Sequence, residues 1–167
     1  MRITLAEPGD LESYIDLLED TAEWLNSRGF GQLPVRIYRD AMDYFALSIA
    51  RGEVYFAFMG NDIVGSLRLL LEDTTVWPEA NPNGLYLHNL LVRRAWSNRG
   101  LGHQMLVCSE QQTVIAGKTY LRLDCFASNA ILRKYYENAG FEDRGEVDAQ
   151  YPFGTLRLQR YEKQAQK

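Results

Sequence analysis

Two rhythms of apolar residues alternate along this chain, and together they predict most of its elements. Leu11, Ile15, Leu18, Ala22 and Leu25 return at helical intervals, the core stripe of an amphipathic helix. Pro8-Gly9-Asp10 gives that helix its start, with Asp10 as cap or first-turn acid, and Gly29 and Gly31 end it. After Pro34, the residues Tyr38, Met42, Phe45 and Ile49 share one face of a second helix that stops near Gly52. Leu101, Met105, Cys108, Gln112 and Ile115 mark a third helix, ended by Gly117, and a fourth follows Asn129.

The strand rhythm fills the gaps. Arg2 to Ala6 reads as a short first strand. Val54 to Met59, the turn Gly60-Asn61-Asp62 and Ile63 to Leu71 carry a hairpin signal. Thr74 to Gly84, with its prolines and Trp77, reads as a loop. It leads into Leu85 to Val92, an apolar run of the length of a largely buried strand. Tyr120 to Cys125 is the next strand, and two short strands near residues 143–149 and 154–161 finish the chain. Strand, helix, strand over residues 85–125 makes a crossover unit, which gives a parallel pair. Hairpins before and after it make the sheet mixed. The fold class is therefore α/β, a mixed sheet with about four helices, in a single domain spanning residues 1–167.

Composition narrows the function classes. Apolar content of 46% and charged content of 24% are ordinary for a globular chain. No apolar run approaches the roughly 18 residues of a membrane span, and no basic-then-apolar leader opens the chain, so the expectation is a cytoplasmic protein with no membrane partner. Cys108 and Cys125 supply neither a disulfide framework nor metal-ligand spacing. Both are expected to pack as small hydrophobes, and no metal is expected. The net charge of −4 is unevenly spread, with 14 acids and 6 bases in residues 1–84 against 8 acids and 12 bases in residues 85–167. An acidic whole argues against nucleic acid as a partner. The split fits a basic half facing a polyanion and an acidic half facing a cation, and equally fits two differently solvated surfaces. Glu12, Asp16, Glu19 and Glu23 run beside the first helix's apolar stripe, and read as a solvated face ahead of an amine-binding wall.

The candidate chemistry begins at the end of the central strand. After Val92 the chain turns polar and basic through Arg93, Arg94, Ser97, Asn98 and Arg99, then opens a helix with Gly100-Leu101-Gly102. A strand feeding a glycine-containing loop at a helix N-terminus can hold phosphates, because first-turn N–H groups lack carbonyl partners and glycine lets a ligand approach the backbone. A nucleotide P-loop would need Gly-Lys-Ser/Thr, and His103-Gln104 follow Gly102 instead. A dinucleotide fingerprint would need a third glycine where Met105 stands, although Asp124 sits near the distance of its acid. Val92 through Gly102 more closely resembles the acyl-CoA loop of the GNAT N-acetyltransferases, R/Q-x-x-G-x-G/A, with Ser97 where that family usually has Arg or Gln. Residues 129–141, Asn-Ala-Ile-Leu-Arg-Lys-Tyr-Tyr-Glu-Asn-Ala-Gly-Phe, resemble the family's second signature, N-x-x-A/L-x-x-(Y/F)-Y-x-x-x-G-F. The joint match covers Leu85 to Phe141, and the remainder of the chain follows by element order.

The resemblance implies a mostly antiparallel sheet with a parallel pair that splays apart, and acetyl-CoA lying in the gap between residues 85–92 and 120–125. The pantetheine amides would pair with backbone groups of Leu90, Leu91 and Val92, and the pyrophosphate would sit on N–H groups of Ser97, Asn98, Arg99, Gly100, Leu101 and Gly102. Asn129 would contact the pantetheine arm as well as cap its helix, and Arg133 or Lys134 would reach a CoA phosphate or face solvent. Asn129 and Tyr136 stand seven residues apart, two helical turns, and so share a face. The resemblance makes Tyr136 the acid that protonates the leaving thiolate, while Tyr135 reads as core. For the base that frees the amine, His88 is the candidate on the central strand, with Tyr86 on the same strand face and Asp124 or glutamates of the first helix as alternatives. The function implied is N-acetyl transfer from acetyl-CoA to a primary amine of a small molecule, in a chain free to form a homodimer. The other reading is a catalytically silent acyl-CoA-binding module. Residues 24–36 and 74–84 and the last hairpin would contact the acceptor, and they carry no recognisable signature.

Overall fold

The structure is a computed structural model that describes residues 1–30, 34, 36–79 and 81–166. Its strands are β1 (Arg2–Leu5), β2 (Val54–Met59), β3 (Asp62–Leu70), β4 (Gly84–Val92), β5 (Tyr120–Phe126), β6 (Glu142–Tyr151) and β7 (Gly154–Gln164). They are hydrogen-bonded in the order β1-β2-β3-β4-β5-β7-β6. The helices are α1 (Leu11–Ser27), α2 (Ile37–Asp40), α3 (Met42–Ala50), α4 (Leu101–Ile115) and α5 (Ala130–Asn138). The sheet is mixed, as the pattern predicts. β4 and β5 run parallel, paired from Gly84–Tyr120 to Leu87–Leu123, while β1–β2, β2–β3, β5–β7 and β7–β6 are antiparallel. Among the described residues no helix is long and apolar enough to cross a membrane.

The chain divides into two compact units, residues 1–68 with 89–105, and residues 69–88 with 106–167. In the first, α1 buries Tyr14, Ile15, Leu17, Leu18 and Ala22, a wider stripe than the spacing alone suggests. Tyr14, Ile15, Leu17 and Leu18 pack with Phe45 and Ile49 of α3 and with Val54 and Phe56 of β2. Tyr14 meets Phe45 and Phe56 edge-on, with ring centroids 5.6 and 6.1 Å away. At the C-terminus of α1, Gly29 takes a left-handed φ of 73° and its N–H bonds Asn26 O, closing the helix as predicted. Gly31, the other predicted stop, lies outside the described residues.

The second predicted helix is two. The backbone leaves helical geometry at Ala41, where φ is −106° and ψ 24°, and this separates the single turn α2 from α3. Tyr38 and Met42 still pack against the core, so the apolar face is as predicted even though the helix breaks. Arg39 of α2 is gripped by three acids of α1, with contacts of 3.0 Å to Glu12, 2.9 Å to Asp16 and 3.1 Å to Glu19. These hydrogen bonds, Glu19's first, push the guanidinium pKa further up. The acidic stripe is thus solvated at Glu12, Asp16 and Glu23, as the pattern predicts, and three of its members also hold Arg39, with Glu19 largely covered. Glu23 alone of the four makes no contact with Arg39 and is exposed.

In the second unit, Val76, Trp77, Tyr86, Ala149 and Leu158 form a core of their own. Val76 and Trp77 belong to the predicted loop, which is irregular yet anchored by these buried side chains. The Arg122 guanidinium lies 4.4 Å from the Trp77 ring centroid, and its Nε donates to Glu162 at 2.7 Å. Further pairs join Arg144 to Glu162, Arg157 to Glu146 and Asp148, Arg160 to Glu79, and Lys163 to Glu110. Much of the basic excess read from the second half is therefore committed within the fold. Cys125 is buried and Cys108 half-buried, both free thiols, as expected of small hydrophobes.

Candidate active site

Leu90, Leu91 and Val92 close β4 and are half-buried, where Gly84 to Leu87 are buried. The strand bends at Asn89, whose φ of 50° is left-handed. That conformation disfavours most side chains and is best tolerated by Gly and Asn. The Tyr14 hydroxyl donates to Asn89 Oδ1 at 3.2 Å and pins the bend. Burial pushes the Tyr14 phenol well above its usual range, so it donates and does not ionise. On the neighbouring strand, a Cβ added to Gly65 would lie 2.3 Å from Leu91 O and 3.3 Å from Met105 Sδ. Only glycine lets β3 run this close to the end of β4.

The loop after β4 is fixed by Arg93, whose N–H donates to Val64 O at 2.8 Å and whose Nε donates to Ile63 O at 2.9 Å. A single 3₁₀ turn, Arg94–Trp96, leads to Ser97, and the Ser97 hydroxyl donates back to Arg94 O at 2.8 Å. Asn98 and Gly100 both take left-handed φ, 60° and 73°, and turn the chain into α4. Gln104 N–H bonds Gly100 O at 3.2 Å. The N–H groups of Leu101, Gly102 and His103 precede that bond, at the positive end of the helix dipole, where no intrahelical carbonyl can reach them. Arg94 and Arg99 flank the turn, exposed, with guanidinium carbons 3.7 Å from the Trp24 and 4.7 Å from the Trp96 ring centroid.

In the second unit, buried Asn129 caps α5, its Oδ1 accepting the Leu132 N–H at 3.0 Å. Arg133 is turned partly inward, donating to Ala127 O at 3.4 Å with Asp143 at 4.0 Å, and Lys134 is exposed. Tyr136 is buried between the rings of Phe141 and Tyr161, at 5.9 and 5.8 Å. Burial, and then the neighbouring Cys125 and Asp124, hold its phenol far above the ordinary range, so it keeps its proton. Tyr135, read as core, is only half-buried, and its buried hydroxyl has no hydrogen-bond partner among the described residues. Tyr86 belongs to the apolar core, its hydroxyl accepting from Arg122 at 3.3 Å.

His88 lies between two carboxylates. Its Nε2 is 3.2 Å from Asp73 Oδ2, outside hydrogen-bond alignment, and its Nδ1 is 3.9 Å from Asp124 Oδ1. Asp73 ends its strand-to-loop turn with Oδ1 accepting the N–H groups of Thr75 and Val76, both at 3.1 Å. Burial alone would raise the Asp73 carboxyl, but His88 and these two N–H groups hold it below its usual value. Asp124 goes the other way. Burial pushes it up to about 6, with His88 opposing and Asp73 adding to the rise. Sequence reading found His88 and Asp124 and missed Asp73. The turn Asp-Thr-Thr-Val carries a signal for a side-chain-capped turn, but none for a partner on β4. It also missed Tyr14, Gly65 and Asn89, whose roles come from strands packing and not from a motif.

Over residues 16–141 the chain matches the model of the acetyltransferase (GNAT) family. It is similar to the uncharacterized N-acetyltransferase YesJ of Bacillus subtilis (strain 168), 33% identical over 142 residues that cover 81% of this chain and 78% of the relative. Among solved structures, an acetyltransferase of the GNAT family from Listeria monocytogenes superposes with a TM-score of 0.77 at 26% identity, covering 98% of this chain and 94% of its own. The aminoglycoside acetyltransferase AAC(6')-Ib, solved with coenzyme A and kanamycin, superposes with a TM-score of 0.71 at 20% identity, covering 95% of this chain and 92% of its own. With its central strand, glycine turn and tyrosine-bearing helix in the family's order, the chain belongs to the GNAT acetyltransferases.

Proposed function

We propose that this protein transfers an acetyl group from acetyl-CoA to a primary amine of a small molecule, by direct attack of the amine on the thioester. The observation that carries the reading is the turn at Asn98 and Gly100, which places the N–H groups of Leu101, Gly102 and His103 ahead of the Gln104 N–H bond to Gly100 O that opens α4. Such a terminus suits a pyrophosphate, and CoA carries one. Backbone groups of Leu90, Leu91 and Val92 would take the pantetheine amides, the turn from Ser97 to Gly102 the pyrophosphate, and Asn129 and Arg133 the donor's remaining polar groups. Kanamycin, held by AAC(6')-Ib beside coenzyme A, is an amine-bearing acceptor of the kind proposed.

The chemistry needs four proton movements. The amine reaches the enzyme as an ammonium and gives one proton to His88. The neutral amine adds to the carbonyl carbon, and charge builds on the oxygen, which a backbone N–H of the Leu90 region would stabilise. Collapse breaks the C–S bond, Tyr136 protonates the thiolate, and the second amine proton restores Tyr136. His88 then releases its proton to solvent. Burial keeps the Tyr136 phenol protonated and so available as a hydrogen-bond donor to the sulfur, and it also makes the phenol a weaker acid, so the proton passes only as negative charge builds on the leaving thiolate.

The test has two arms. Acetyl-CoA at about 100 times Kd should add roughly 2.7 kcal/mol of stability, about 5–10 °C in Tm. A panel of spermidine, lysine and kanamycin should give CoA release with at least one member. Binding of acetyl-CoA with no release from any broad set of amines would favour a silent acyl-CoA-binding module, and a shift with NAD(H) alone would end the reading.

A further inference from the structure

We infer that Asp73, His88 and Asp124 act as one proton-accepting unit for an acceptor that enters as a cation, with Asp73 as the residue that orients His88 and Asp124 as the carboxylate that meets the ammonium. This rests on the acetyltransferase reading above and deepens it, because it assigns the substrate's charge and adds two residues to the machinery.

The geometry separates the three roles. One nitrogen or oxygen from each side chain lies within 4.8 Å of the other two. Side-chain exposure falls from 22% at His88 through 15% at Asp124 to 7% at Asp73. Asp73 is thus the innermost, and its Oδ1 is already held by the Thr75 and Val76 N–H groups. That leaves Oδ2, a buried oxygen 3.2 Å from the buried His88 Nε2, and neither atom has an aligned hydrogen-bond partner among the described residues. Two unpartnered polar atoms this close are costly unless a proton joins them. Placing it on Nε2 makes a donor facing a carboxylate, and leaves the lone pair on Nδ1, the atom facing Asp124. A buried carboxylate that fixes the imidazole tautomer and stabilises the imidazolium is the logic of the serine-protease triad. Catalytic hydrogen bonds are often poorly aligned until substrate tightens them.

The proton step then balances. An N–H bond of the ammonium breaks, an Nδ1–H bond forms, and the positive charge moves from substrate to an imidazolium lying between two carboxylates. Asp124 would accept a second ammonium hydrogen and align the first. The groups that face Asp124 are His88 from β4, Asp73 from the turn after β3, Cys125 beside it on β5 and Tyr136 from α5. Its register partner on β7 is Arg160, whose guanidinium is taken by Glu79 and Arg144 O. No cation other than His88 therefore neutralises Asp124 among these groups, and its carboxylate favours a positive ligand.

The experiment compares wild-type protein with Asp73→Asn, using whichever panel amine gives the fastest CoA release. We expect kcat to fall about 10²-fold, with acceptor KM and acetyl-CoA Kd each within about threefold. The acid limb of kcat/KM should also move to lower pH, because the Asp73 charge is one of the causes raising Asp124. A purely structural Asp73 would lower Tm and leave that limb in place. Unchanged kcat and an unmoved limb overturn the inference while leaving acetyl transfer standing. Should Asp73→Asn fail to fold, or no amine turn over, wild-type protein is titrated with propylammonium and with 1-propanol. Protection of the His88 ring resonances by the cation alone supports the unit, with His103→Gln removing the other histidine signal. Equal perturbation by both overturns it. Loss of activity on chelation, restored by a divalent cation, would give the three side chains to an ion and also overturn it.

Discussion

Replacing Gly65 by Ala is the sharpest structural test available, because the general rule and this structure predict opposite signs. Gly65 has no left-handed backbone requirement. At such a site Gly→Ala ordinarily stabilises by about 0.4–1 kcal/mol, by reducing the freedom of the unfolded chain. Here the new Cβ would meet Leu91 O at 2.3 Å and the Met105 side chain at 3.3 Å. The methionine can swing away, but the carbonyl belongs to β4 and cannot move without its strand. A carbon–oxygen contact needs about 1 Å more, and forcing a methyl group into a packed site costs about 1–3 kcal/mol. The net expectation is a loss of roughly 1–2 kcal/mol, or about 2–8 °C in Tm for a chain of this size. Thermal unfolding by circular dichroism reads it directly. Because the displaced carbonyl lies in the stretch proposed to pair with pantetheine, acetyl-CoA affinity should fall in the folded variant too. A Tm equal to or above wild type would show that β3 and β4 are not this close.

Tyr136→Phe should keep acetyl-CoA Kd and lower kcat by about 10²-fold, the lower end for positioned proton transfer, while Tyr135→Phe leaves kcat nearly untouched; more than about half of wild-type kcat in a chemistry-limited assay would remove Tyr136 as the acid. Gly100→Val places a branched side chain at a φ of 73° and should cost about 1–2 kcal/mol together with most acetyl-CoA binding, read by chemical denaturation and calorimetry. Arg39→Ala frees Glu12, Asp16 and Glu19 to repel one another; its Tm deficit should shrink as the Debye length falls from ~30 Å to ~3 Å between about 0.01 M and 1 M salt, and a salt-independent deficit would mean that Arg39 acts by packing. Asp124→Asn should raise stability at pH 8 and leave it unchanged near pH 4. A carboxyl lifted from 3.8 to about 6 favours the fold below about pH 4 and loses that advantage as pH rises through 6, at most about 3 kcal/mol across the window. Asp73, held low, works in the opposite direction. Tm curves from pH 4 to pH 8 that run parallel for wild type and variant would refute the burial argument.

The fold was legible wherever one local rule acts on consecutive residues. The stripe from Leu11 to Leu25 specified α1, and the turn at Gly60 the β2–β3 hairpin. The crossover through α4 gave the parallel pair, and the motif with Asn129 gave a capped α5. What could not be read depends on residues far apart in the chain. Periodicity runs straight through Ala41 because Tyr38, Met42 and Phe45 keep a common face across the break. The acids of α1 are solvated as their pattern suggests, but nothing in that pattern shows that Arg39, on another element, sits among three of them. Trp77 sits in a stretch with a loop's prolines, yet it is the centre of a core. In the candidate site the same division holds. Motif positions such as Gly100, Asn129 and Tyr136 were visible, whereas Asp73 was not, since nothing near it in sequence points to His88.

Burial of Asp124 favours chemistry over a silent role. A carboxylate in this position loses hydration and also faces Asp73, a second negative charge, and both effects raise it to about 6. An asparagine of nearly the same shape would avoid that cost, and stability alone therefore does not call for an acid here. Destabilising charge is retained where it does something the fold cannot do without it. A module that only sensed acyl-CoA would need the turn at Asn98 and Gly100 and the edge of β4, and it would have no use for two carboxylates around a histidine. An enzyme that must strip a proton from an ammonium needs an anionic surround for the cation and a base within reach of it. Asp73 and Asp124 around His88 would supply the anionic surround, and on the proposed reading a cationic acceptor beside Asp124 would recover the energy lost in burying it.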